Sequence, residues 1–380
     1  MKRTLTIFLS ILCCLSARAQ ADGPYIFYND DGAARVVSVS ADGTVDDREM
    51  RGIGPGSVFT VTTDDGRYSF DVTLHENVRP QWKYSSTGRT FVTSDPHSDI
   101  NSFVKMLQGN GVIGPDLSWS YGDGHLMVIG DVMDKGKDAT QIFWLLYELE
   151  AEAEKAGGLV SFLYGNHEAM VLSGDYRYTD GKYFNLAAAI GCQVRDLMGP
   201  GTELGRWLAT RNTIQQEDDV LFVHAGISMM VLEARMSVPK INEIVSSGLF
   251  LTRDEMLDMP VTNLLFSNYG PLWYRGLVLH YTMKYNPAYG SAIGQIMYTF
   301  DAHRMFVGHT IFKNVKAFYD MRVIDVNVDN RLNSEKGRSR AVLLDQGVPY
   351  VVDDNGRILR NFSFWWQDTH AGKSRKKHSE

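Results

Sequence analysis

Five short apolar runs, each ending at a residue able to bind a metal ion, constrain this chain more than any other feature. They are TFVTS from Thr90, LMVIG from Leu126, LVSFLYG from Leu159, VLFVHAG from Val220 and RMFVGH from Arg304. Runs this short, bounded by turn-forming residues, read as buried strands. Helical patterns separate several of them. After the first, Ile100, Phe103, Val104 and Leu107 fall on one face, with Ser98 as a helix N-cap and Gly109 past the end. After the second, Asp138 and Gln141 resemble a capping box, and Gly157-Gly158 marks the stop. Strand and helix in alternation predict an α/β fold.

The polar residues sit where those strands stop. The first run leads to Asp95 and His97, the second to Asp131, the third to Asn166 and His167, the fourth to His224, and the fifth to His309. In open α/β sheets a ligand lies outside the carboxyl ends of the strands, so these side chains can converge in one cleft. Each alone has a bland reading as a turn, a cap or a hydrogen-bonded histidine. Their joint occurrence at successive strand ends favours a metal site. Gly130, Gly165, Gly226 and Gly308 beside them permit tight turns or close backbone approach. The other histidines, His75, His125, His280, His303, His370 and His378, are read as structural.

Other segments carry less. The segment from Leu204, LGRWLATRN, reads as an amphipathic helix leading into the fourth strand, and RAVLLDQGVPYVVDDNGRI as a closing hairpin. Residues 22–85 alternate short apolar runs with NDDG, ADG, GPG and DDG turns, which predicts a small β-rich region of hairpins. Residues 1–21 show Lys2 and Arg3, an apolar run from Leu5 to Leu15, then Ala17, Ala19 and Ala21: the order of a secretory signal peptide. Cys13 and Cys14 do not follow small residues, which disfavours a lipid anchor. Cleavage leaves Cys192 alone, without a disulfide partner, and takes the formal charge from −7 to about −10. An acidic balance argues against nucleic acid as a partner. The expectation is an exported, periplasmic or secreted protein with no membrane span, a main domain over residues 86–360 and a basic tail over 361–380.

The ordered motifs SDPH, GDVMDKG, GNHE, VHAGIS and VGHT resemble those of the calcineurin-like metallophosphoesterases. GNHE followed by VHAG is similar to the phosphoprotein phosphatase branch, and GPLWYRG with the GRWL segment to its bacterial members, close to the Shewanella-like phosphatases. The resemblance runs from about Thr90 to Asp354 and implies two packed β-sheets flanked by helices, with two divalent ions in the cleft. It implies Asp95, His97 and Asp131 for the first ion, with Asp131 shared by the second, which also takes Asn166, His224 and His309. Carboxylate and imidazole donors suit manganese, iron or zinc. It further implies His167 as the acid that protonates the leaving alcohol, Asp134 as the group that holds it, and Arg275 as a grip on phosphate.

Four positions depart from the pattern. Lys135 stands where arginine is usual, offering phosphate a point charge instead of a planar fork. Ser98 and Ala225 replace glycines, and Ile311 stands where the wider superfamily has a further histidine. The function implied is hydrolysis of a phosphomonoester, in a phosphorylated protein or a small phosphoester, by a metal-activated water. A nucleotide or dinucleoside polyphosphate hydrolase shares GNHE and GHT, and a non-catalytic metal-binding module is the reading from another class.

Overall fold

Alternating burial builds two sheets that share one interior. In Arg89–Thr93, Val92 points toward the layer between the sheets and Phe91 away from it. Met127 and Ile129 of His125–Ile129, and Val220 and Phe222 of Val220–Val223, face the same layer, while their neighbours face the helices. Phe222 and Phe306 stack there with centroids 5.5 Å apart. A two-residue period with both faces buried explains why these strands read as continuous apolar runs. The computed structural model describes residues 21–359 and 362–364, so the signal-peptide reading and most of the basic tail lie outside the described residues.

One sheet has six strands in the order Ile358–Leu359, Val348–Val352, Ala341–Asp345, Arg89–Thr93, His125–Ile129 and Leu159–Leu163. Its last three run parallel, and the hairpin over 341–352 pairs antiparallel on their edge. The other sheet has seven, in which Val220–Val223, Arg304–Val307 and Val323–Asp325 run parallel. The expected double sheet flanked by helices is therefore present, and the parallel strands of both sheets end at one edge.

Helix Ala139–Lys155 packs on strand Leu159–Leu163 and also meets the N-terminal strands. Those strands form a three-stranded sheet, Asp22–Tyr28, Ala33–Val39 and Val45–Arg51, and a hairpin of Val58–Thr62 with Ser69–Thr73. Tyr25, Val37, Val61, Val72 and Leu74 join the same apolar cluster as Trp144 and Trp207. Among the described residues no helix is long and apolar enough to cross a membrane.

Local details differ from the sequence expectation. The cap of helix Ile100–Gly109 is Asp99, which accepts from the Ser102 amide at 3.2 Å, not Ser98; Gly109 is inside the helix. Ser98 instead donates its hydroxyl to the Val132 carbonyl. No capping box opens helix Ala139–Lys155, because Gln141 is buried and turned to Asp22, whereas its end is as expected, with left-handed Gly157 directly after the capping residue Ala156. The segment from Leu204 is only a short helix, Glu203–Leu208, and an unexpected strand, Ile214–Glu217, pairs with the fourth run.

Candidate metal centre and catalytic cleft

The turns that leave the parallel strands are shaped by left-handed backbone. Among the described residues, seven of the seventeen non-glycine residues with positive φ are here: Asp95, His97, Ser98, Asp131, Asp134, Lys135 and His309. Such conformations persist only where the surroundings hold them, and they gather at functional sites. The glycines leave no room for a side chain. A Cβ on Gly165 would lie 2.1 Å from Asp131 Oδ1, and one on Gly308 2.5 Å from Asp95 Oδ2.

Asp131 is the centre of the cluster. Its Oδ1 accepts the His167 amide at 3.0 Å, while Oδ2 lies 3.3 Å from His224 Nε2 and 3.9 Å from both His97 Nε2 and His167 Nε2. His97 Nε2 is 3.8 Å from Asp95 Oδ1, and His224 Nε2 is 3.1 Å from Asn166 Oδ1. Asp131, His224 and His309 can offer ligand atoms within 4.8 Å of one another, and so can His97, Asp131 and His167. The fold thus brings together all six residues expected to bind metal. Geometry alone also groups His167 with His97 and Asp131, so proximity does not separate ligand from acid.

The donors fit divalent cations. Asp95 Oδ1 and His309 Nε2 are buried without a hydrogen-bond partner, a costly state that a cation would relieve. His97 Nδ1 meets the Met133 carbonyl at 3.1 Å and His224 Nδ1 the Ile129 carbonyl at 2.8 Å. As N–H donors there, both rings present Nε2 lone pairs to the cluster, the usual support for a ligating imidazole. Without cations the charges are badly balanced. Burial pushes Asp95 up to about 6 and His97 down to about 3. Burial also opposes the charged forms of Asp131 and His224, but their mutual attraction outweighs it, holding Asp131 well below the carboxylate range and lifting His224 to about 9.

His167 sits differently. Its Nδ1 is 2.7 Å from Asp134 Oδ2, and Asp134 Oδ1 accepts the Thr179 hydroxyl at 2.7 Å. Burial lowers the His167 pKa, yet the carboxylates of Asp131 and Asp134 more than compensate and raise it. An imidazolium fixed at Nδ1 and facing the cleft through Nε2 can donate a proton there.

Arg275, Lys135 and His167 line a cleft of about 580 Å³ with His97, Asp131 and His309. Arg275 Nη1 donates to the His309 carbonyl at 3.0 Å and to the Thr310 hydroxyl at 3.1 Å, which aims the guanidinium along the cleft. Lys135 Nζ lies 2.6 Å from His97 Nε2, so the departure noted in the sequence places its ammonium on the nitrogen expected to bind the first ion. Ile311 is half exposed on the cleft rim.

Two residues had no assigned part in the sequence reading. Glu168, the last letter of GNHE, is fully buried and accepts the amides of Asp131, Met133 and Gly165 at 3.0, 2.9 and 2.7 Å, fixing both turns of the site. Asp325 ends a buried strand, has one oxygen without a partner, and is held well above the carboxylate range by burial and by Asp95. The GNHE motif could have pointed to Glu168; nothing local marks Asp325.

No family model matches the chain. It is 28% identical over 275 residues to an uncharacterised protein of Schizosaccharomyces pombe, covering 70% of this chain and 79% of that one. It is 27% identical to Shewanella-like protein phosphatase 1 of Plasmodium berghei, over 59% of this chain and 61% of that one. A shorter match, 32% identical, covers 27% of this chain and 26% of Shewanella-like protein phosphatase 2 of Arabidopsis thaliana. The chain thus spans less than two thirds of either named phosphatase. The structure of the cold-active protein-tyrosine phosphatase of a psychrophilic Shewanella superposes with a TM-score of 0.79 at 25% identity, covering 90% of this chain and 99% of that one. With the strand-end motifs converging as that fold requires, the chain shares the fold of that phosphatase, and its sequence is similar to the Shewanella-like protein phosphatases of the phosphoprotein phosphatase branch.

Proposed function

We propose that the chain hydrolyses phosphomonoesters on serine, threonine or tyrosine side chains of proteins. The observation that carries this reading is the Asp134–His167 pair, whose free Nε2 faces the same cleft as Arg275 and the cluster around Asp131. Asp95, His97 and Asp131 would hold one cation, and Asp131, Asn166, His224 and His309 the other; the donor set suits manganese, iron or zinc. When bound, a pair of divalent cations supplies Lewis acidity and a water of lowered pKa.

The remaining work falls to side chains. Arg275 would bind phosphate oxygens with a planar fork, and Lys135 adds a point charge in the same cleft. His167 gives its Nε2 proton to the departing oxygen, and Asp134 keeps the imidazolium aimed and charged. Leu279, Tyr281, Tyr285 and Phe312 form an apolar wall of the cleft that suits an aryl ester. The acidic balance of the chain supports a protein or small-molecule substrate and not nucleic acid.

Phosphate release from p-nitrophenyl phosphate and from phosphopeptides, by protein chelated and reloaded with manganese, tests the reading. Absence of turnover on every phosphoester would defeat it. The signal-peptide pattern supports export; an amino terminus at Met1 in protein recovered from the producing cell would argue against it.

A further inference from the structure

The N-terminal strand reaches the loop that holds the general acid, and it does so through buried charge. Asp22 is 3% exposed and its side-chain oxygens are well supplied with donors. Oδ1 accepts from the Gly23 amide at 2.9 Å and from Gln141 Nε2 at 3.2 Å, and Oδ2 from the Tyr25 hydroxyl at 3.0 Å. Lys182 Nζ, almost wholly buried, lies 3.1 Å from the same Oδ2. That ammonium also donates to the Lys137 carbonyl at 2.8 Å, which accepts the Tyr183 hydroxyl at 2.8 Å as well. Lys137 directly follows the GDVMDKG loop, three residues beyond Asp134.

The segment leading to Lys182 grips the same loop at its other end. The Tyr178 carbonyl accepts the Lys135 amide at 3.0 Å, and the Thr179 hydroxyl donates to Asp134 Oδ1 at 2.7 Å. The Tyr178 ring lies 5.3 Å from the His167 imidazole. Residues 178–183 therefore fasten Asp134, Lys135 and Lys137 in one stroke, and their inner anchor is a carboxylate supplied by the N-terminal strand. A buried lysine deprived of its carboxylate is strongly disfavoured in place. It would turn toward water and free the Lys137 carbonyl, loosening the loop.

We propose that Asp22, acting through Lys182 and residues 178–183, is a positioning residue for the Asp134–His167 acid pair. This rests on the phosphatase reading and gives the N-terminal β-rich region a part in turnover.

Leaving-group dependence tests it, because proton donation matters for an alkoxide and little for p-nitrophenolate. In Asp22→Ala and Lys182→Met, kcat on an alkyl phosphate or phosphoserine peptide should fall about tenfold or more, with KM little changed. On p-nitrophenyl phosphate the fall should stay within about threefold. Thr179→Val should show the same split and Thr179→Ser should restore it. An equal fall on both substrates, or none, would overturn the proposal. Should Asp22→Ala fail to fold, Asp22→Asn, which keeps an acceptor oxygen, and Thr179→Val carry the comparison. Amide hydrogen exchange reads the bracing without turnover: Lys135 and Lys137 should exchange faster in the Asp22 variant, and unchanged protection would also overturn it. A wild-type protein inactive on both esters would instead defeat the phosphatase reading, leaving the exchange result to decide the bracing.

Discussion

Asp22 and Asp95 are both buried carboxylates, yet their surroundings are opposite. Asp22 has hydrogen-bond donors on both oxygens and a lysine beside it; Asp95 keeps one oxygen with no partner and is pushed up to about 6. A complete set of partners marks a carboxylate that holds structure. An incomplete set, repeated at His309, marks a position shaped for something the polypeptide does not itself supply.

Removing charge from the incomplete region should have the largest consequences. Asp131→Asn and His224→Ala are expected to reduce phosphate release to background and to bring metal content below two equivalents by elemental analysis. Two retained equivalents with normal turnover would erase the contrast. Next comes His167→Asn, which should cost about 10²–10⁴-fold in kcat on a poor leaving group while both cations stay bound. Loss of metal in that variant would make His167 a ligand, as its distance to Asp131 allows.

Glu168 belongs with Asp22 on the satisfied side, although it lies inside the site. Glu168→Leu leaves three buried amides without their acceptor, at roughly 1–3 kcal/mol each, measurable by urea unfolding. Little change would mean that the turns hold themselves. Lys135→Arg should produce a few-fold tighter inhibition by inorganic phosphate, since a fork can engage two oxygens. Unchanged inhibition would remove Lys135 from the phosphate site and leave only its contact with His97. The smallest effect is expected at Cys192→Ser: the thiol is free and half-buried, so stability should move within about 0.5 kcal/mol.

The parts of this fold that showed in the sequence are those where one local signal suffices. Parallel strands buried on both faces produce apolar runs, and the turns after them expose their donors in plain order. Strand Ile214–Glu217 escaped notice because it is buried yet polar. Gln215 donates to Ser161, and Glu217 accepts from Thr90 and pairs with His125, so its burial is bought by partners far along the chain. Strand Val45–Arg51 was hidden by its charges, which face solvent at the sheet edge. Asp131 and the five donors around it could be read from motifs; the Thr179 hydroxyl, the Asp22 anchor and Asp325 could not, because each acquires its neighbours only on folding.

The left-handed turns of the cleft carry a consequence for evolution in the laboratory. Asp134 and Lys135, at φ 70° and 68°, hold a conformation that glycine adopts without penalty and other residues adopt at roughly 1–2 kcal/mol. Glycine at either position should relieve that local strain while removing the side chain that orients the acid or meets the phosphate. At position 134 that relief is outweighed by the Thr179 hydroxyl and the His167 ring left without their acceptor, so a library screened for heat resistance alone would tend to gather glycine at position 135, and only a screen that also demands turnover would keep the lysine.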